Sequence, residues 1–171
     1  SLTSYALGFD LWGAIASWTK ETFGFRSEEY TQIITPSVTK EIATPLTTLA
    51  KEMDMHDVPT TILPSYLPDG YSESDFQFSE TAGSMDFYCL LEKENSSITL
   101  FYSAFFDGQE LSQFEKDAAD PKQYEYNGTI YYIMTNEGVY FAAWTAGNIE
   151  CSIAGVEVYD EIIKIIQSIG E

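Results

Sequence analysis

Cysteine, histidine and basic residues are scarce in this chain. Its 171 residues hold two cysteines, one histidine, and eight Lys and Arg against 27 Asp and Glu. Two cysteines make no disulfide scaffold. Cys89, Cys151 and His56, spread along the sequence, make no zinc signature. Ser-His-Asp chemistry would rest on His56 alone, and that residue stands in an acidic segment over 52–57. No Gly-rich turn runs into Lys and Ser/Thr, and no dinucleotide fingerprint is present. The acidic stretches lack the alternate ligands and central Gly of a calcium loop. With 27 carboxylates, no pair is singled out by spacing for glycoside hydrolysis. No run of 18 apolar residues offers a transmembrane helix. The first residues have neither a basic region nor a continuous apolar core, so they do not read as a signal peptide. The formal charge of −19 repels phosphate backbones and anionic lipid surfaces, which argues against nucleic-acid binding. That charge keeps the protein soluble and monomeric, or it attracts cations or a basic partner.

Aromatic residues are abundant. Twelve Tyr and eleven Phe favour β structure, and the length suits one domain with an added N-terminal segment. Phe9, Trp12, Ile15 and Ala16 recur at helical spacing, which predicts a helix within 1–30 ending near Gly24. Residues 31–45 read as an extended connector rich in Thr. A short helix follows Pro45 to about Met55, with Leu46, Leu49 and Met53 on one face. Three prolines and Asp69-Gly70 then mark loops and turns. The expected division is 1–58, a helical segment and connector, and 59–171, the folded domain.

From Tyr71 the period changes to two. Phe87, Cys89 and Leu91 alternate against Tyr88 and Leu90. Ile98, Leu100 and Tyr102 alternate against Thr99 and Phe101. A short helix is expected around Leu111–Asp117. Asn127-Gly128 signals a tight hairpin, with further turns at Asn136–Gly138 and Gly147-Asn148, so 123–154 reads as an antiparallel meander. The final segment is a helix with Ile162, Ile163, Ile166 and Ile169 as its apolar stripe. The expected class is α+β: an antiparallel sheet of about six or seven strands, a C-terminal helix on one face, and an N-terminal helical segment.

Cys151 lies between Ile149 and Ile153 at period two, as Cys89 lies between Phe87 and Leu91. Both point inward from a strand and lack the cationic surroundings of a nucleophile. They read as core thiols, or as the two halves of one disulfide if their Cα atoms lie within about 7 Å. The Asn95 and Asn127 sequons read better as turns.

The stretch Leu63–Tyr71, the Asn-Gly before a Tyr-rich strand, Trp144 before Gly147-Asn148, and Ser152, Gly155 and the Glu161–Ile166 run together resemble a known family. The family is domain-of-unknown-function family 4367, and the resemblance covers about residues 60–170. Cys151 stands where that pattern expects an aromatic, which argues against a family-wide role for it. The resemblance implies a Gram-positive, single-pass membrane protein with this domain outside the cell, in an anti-sigma or regulator-like architecture. The start at Ser1 without Met agrees with an anchoring segment before it, and the N-terminal stretch resembles a juxtamembrane segment. The lead-in motif is also similar to that of lipoprotein-carrier-like domains. The resemblance supplies no catalytic residues.

Two functions are expected from these features. One is a non-catalytic extracytoplasmic binding or sensing domain, with Tyr124, Tyr126, Tyr131, Tyr140 and Trp144 as the candidate binding surface. Its partner would be a protein or a cell-envelope ligand, with no cofactor. The alternative is a carrier of an apolar ligand in the sheet's concavity, which requires an apolar cavity under the C-terminal helix. Catalysis has no supporting constellation in the sequence.

Overall fold

The computed structural model describes residues 6–9, 14–27, 44–106 and 113–170. The connector expected over 31–45 lies almost wholly outside them.

A seven-stranded antiparallel sheet forms the body. Its strands are β4 (Ser72–Glu80), β5 (Ser84–Lys93), β6 (Ser96–Phe105), β8 (Lys122–Tyr126), β9 (Thr129–Asn136), β10 (Val139–Ala146) and β11 (Ile149–Val156), in the order β4-β5-β6-β11-β10-β9-β8. Two-residue turns join β5 to β6, β8 to β9, β9 to β10 and β10 to β11, with positive φ at Glu94, Asn127, Glu137 and Gly147. Asn127 and Gly128 stand at 48° and 77°, the pattern of a type I′ hairpin. The antiparallel meander expected over 123–154 is present as the four strands β8 to β11.

Two helices cover one face. Helix α1 (Thr47–Met55) buries Leu49 and Met53, and α2 (Tyr159–Gln167) buries Ile162, Ile165 and Ile166. Ile165, absent from the expected stripe, lies in the buried face, while Ile163 is half-buried at its margin. Each fully buried isoleucine contributes about 1.5–3 kcal/mol. Leu46, Leu49 and Met53 share one core with Phe87, Leu100, Trp144 and Ile153, so the core draws on residues either side of position 58. Helix α1 has no side-chain cap of its own. Glu73, from β4, supplies one: its carboxylate accepts from the Thr48 and Leu49 amides, both at 3.0 Å. The lead-in motif docks along α2, from its first turn to its C-terminal cap. The Tyr66 amide donates to Ser168 Oγ at 3.1 Å, and the Tyr66 hydroxyl donates to Glu161 at 2.6 Å.

The other face carries a second sheet, and here the sequence expectation is corrected. Residues within 1–30 form strands, not a helix: β1 (Ala6–Phe9), β2 (Ala14–Trp18) and β3 (Thr22–Ser27). Strand β7 (Gln113–Glu115) pairs with β3, so 113–115 within the helix expected at 111–117 are a strand instead. Ala16 and Trp18, then Phe23 and Phe25, alternate at period two and are buried. They pack on Phe105, Tyr132, Met134 and Phe141 of the main sheet. Thr19 sets the turn, its hydroxyl accepting from the Thr22 amide at 3.1 Å. Trp12, in the expected helical stripe, lies outside the described residues.

Candidate functional site

Strand β8 is one edge of the seven-stranded sheet. Alternation places Lys122, Tyr124 and Tyr126 on the helix face and Gln123 and Glu125 on the other. Helix α2 lies over β10 and β11, and α1 over β4 and β5. Helix α2 meets β8 through side chains at its two ends, and Tyr124 and Tyr126 remain half-exposed at its rim. Their rings are parallel within 9° and their centroids 6.4 Å apart. The Gln167 side-chain amide donates to the Tyr124 hydroxyl at 2.9 Å, which ties this shelf to the last turn of α2. Lys122 Nζ sits 4.6 Å above the Tyr159 ring, and Tyr159 meets Tyr140 edge-on at 5.5 Å. An aromatic strip thus runs from β8 along the start of α2.

The expected binding set is split by burial. Tyr124, Tyr126 and Tyr140 are half-buried and belong to this strip. Tyr131 and Trp144 do not: at 3% and 1% exposed they lie in the core under the helices. Their rings meet at 5.2 Å, and Trp144 meets Tyr102 edge-on at 6.4 Å, so they act as cross-strand packing. Strand period assigns Tyr131 to the same face as Tyr124. Only the position of α2 decides that one is covered and the other is not. Lys122, Tyr159 and Gln167 were not singled out from sequence, because they join the strip through tertiary contact.

The cysteines are buried and free. Strands β5 and β11 flank β6, with Cys89 opposite Leu100 and Cys151 opposite Tyr102. Two strand spacings, roughly 9.5 Å, separate their strands, and a two-residue offset along β6 adds to that. That exceeds the ~7 Å limit for a bridge, so the core-thiol alternative holds. Burial, with the Glu73 carboxylate nearby, pushes the Cys89 thiol up to about 12. Burial, then Glu150, pushes Cys151 well above its ordinary value. Both are neutral thiols at physiological pH, the opposite of an activated nucleophile. His56 is stacked on Phe78 at 4.1 Å. Among the described residues, no three of His, Cys, Asp and Glu converge as a metal site. Among them, too, no helix is long and apolar enough to cross a membrane.

The family model for the domain of unknown function DUF4367 matches residues 61–169, well over half of the chain. The chain belongs to the DUF4367 family. The matched span of this DUF4367 protein takes in the whole seven-stranded sheet and α2, while β1 to β3 and α1 precede it. No curated protein matches the chain at a significant level.

Proposed function

We propose that this DUF4367 protein is a non-catalytic binding or sensing domain, displayed outside the cell by a membrane-anchored protein. It recognises a protein or cell-envelope ligand through the β8–α2 rim. Occupancy there biases a regulator on the inner side, of which a sigma-factor control protein is one form. The observation that carries the reading is the Tyr124–Tyr126 shelf. Two parallel, half-exposed rings are held in register by a hydrogen bond to α2 above a fully packed core. Amphipathic tyrosines placed on a rigid element recognise ligands at little conformational cost. The apolar helix face is occupied by Leu49, Met53, Ile162 and Ile165 from the chain's own helices, which favours the rim over a carrier cavity.

The test is retention of the full chain on washed cell envelopes from a Gram-positive host, measured by co-sedimentation. The wild type is expected to pellet with the envelopes. A double variant, Tyr124→Ala with Tyr126→Ala, is expected to stay in solution with an unchanged fold by circular dichroism. Equal retention of both, or retention of neither, contradicts the reading.

A further inference from the structure

Two edges bound the main sheet, and they differ. Strand β4 carries a bulge between Glu73 and Asp75, a feature that spoils pairing with another strand. Strand β8 is regular over its whole length and pairs only with β9 among the described residues.

The hairpin fixes which backbone groups of β8 point outward. Asn127 and Gly128 form the two-residue turn, so Tyr126 and Thr129 are its hydrogen-bonded closing pair. Bonded and non-bonded pairs alternate along an antiparallel ladder. Tyr124 opposite Tyr131 and Lys122 opposite Ile133 are then bonded inward. The N–H and C=O groups of Gln123 and Glu125 face away from the sheet.

The charge beside this edge has one dominant sign. Glu125 is exposed on the strand, Asp120 is exposed just before it, and Asp117 continues the same line, its amide donating to Thr135 O of β9 at 2.8 Å. Glu137 adjoins Asp117, its amide donating to that carboxylate at 3.2 Å. The nearby cations are engaged: Lys122 lies over Tyr159, and buried Lys116 donates to the carbonyls of Lys20, Asp117 and Ala119. The whole chain carries −19, so a second copy meets repulsion at this edge.

We propose that β8 receives an extended basic peptide as an added strand. The outward groups of Gln123 and Glu125 pair with its backbone. Alternate basic side chains meet Glu125, and the intervening apolar ones lie on Tyr124 and Tyr126. This is strand addition at a sheet edge, with affinity from the main chain and selection from alternate side chains. It rests on the reading of the β8–α2 rim as the binding surface, and names the partner class.

The test uses the full chain and a fluorescein-labelled peptide of about ten alternating Lys and Val residues, followed by anisotropy. An acidic peptide of alternating Glu and Val is the control. The Lys-Val peptide is expected to bind, the Glu-Val peptide not, and binding to weaken in about 0.5 M salt. Gln123→Pro removes one outward amide at an edge position that tolerates proline. It is expected to weaken binding roughly tenfold or more while the melting temperature stays near that of the wild type. A peptide N-methylated on the edge facing β8 is expected to fail, and one N-methylated on the far edge to bind. Equal binding by the wild type and Gln123→Pro, or by both methylated peptides, overturns strand addition in favour of plain charge attraction. No binding of the Lys-Val peptide overturns the proposal, as does a dimer in sedimentation that Gln123→Pro dissolves. Envelope retention that depends on Tyr124 and Tyr126, without peptide binding, removes this proposal and leaves the rim reading standing. Loss of both removes the reading itself.

Discussion

At the scale of single residues, the interior is chemically quiet. Cys89 and Cys151 are shielded, and their pKa values are raised by burial, so the thiolate fraction is negligible at neutral pH. Neither is expected to react with a soluble disulfide reagent in the native chain at about pH 8. Both should react promptly in denaturant, as measured by absorbance. Rapid native modification of either would contradict the burial assigned to it. Tyr102 makes a second point. It is fully buried, and its hydroxyl has no hydrogen-bond partner among the described residues. An unsatisfied buried hydroxyl costs about 1–3 kcal/mol. Tyr102→Phe is therefore expected to leave urea stability unchanged or raise it by about 1 kcal/mol. Trp144→Ala, which empties the same core, is expected to cost about 3–5 kcal/mol. A large loss in Tyr102→Phe would show that the hydroxyl is bonded in solution. The inward direction of the cysteines was legible in the sequence, because strand period alone fixes it. Their separation was not, because it depends on β6 lying between β5 and β11.

At the scale of elements, local signals worked where they were complete. Asn127-Gly128 and Gly147-Asn148 specify tight turns by their own backbone preferences, and the meander followed from them. Helix α2 followed from its isoleucine spacing. The apolar residues of the N-terminal segment satisfy both periods. Phe9, Trp12 and Ile15 fit a helix, whereas Ala16, Trp18, Phe23 and Phe25 alternate as strands. Burial against Tyr132 selects the second pattern. The Glu73 cap on α1 had no sequence signal, since it arrives from a strand distant in the chain. The lead-in motif and α2 are joined by Tyr66, Glu161 and Lys164, with Lys164 Nζ 2.8 Å from Glu161. Hydrogen bonds from Lys164 and then Tyr66 hold the Glu161 carboxyl below its ordinary value. A lowered carboxyl stabilises the fold above its unfolded pKa, and the effect fades as pH falls through the folded value. Glu161→Gln is expected to lower stability at pH 7 by at most about 1 kcal/mol, since the group is near solvent. The difference should be smaller at about pH 3 than at pH 7, because acid protonates the carboxylate and brings both chains toward a neutral side chain. Denaturant melts at the two pH values check this, and an undiminished gap in acid would contradict the linkage.

At the scale of the whole molecule, the sheet has two covered faces and one aromatic rim. Helices α1 and α2 close one face, and strands β2 and β3 cover part of the other from outside the family span. Half of the candidate site was legible in the sequence. Tyr124, Tyr126 and Tyr140 lie on the rim, while Tyr131 and Trp144 lie beneath α2. No local pattern records where a helix stops short of a sheet edge. The central claim is that this rim is where the DUF4367 protein meets its ligand. The most direct measurement replaces Tyr126 with a photo-crosslinking amino acid, in parallel with Gln77 on the opposite edge strand. Both variants of the chain are then irradiated on isolated envelopes. The account predicts a discrete adduct from position 126 and none from position 77. Equal labelling from the two edges, or none from position 126, would contradict it.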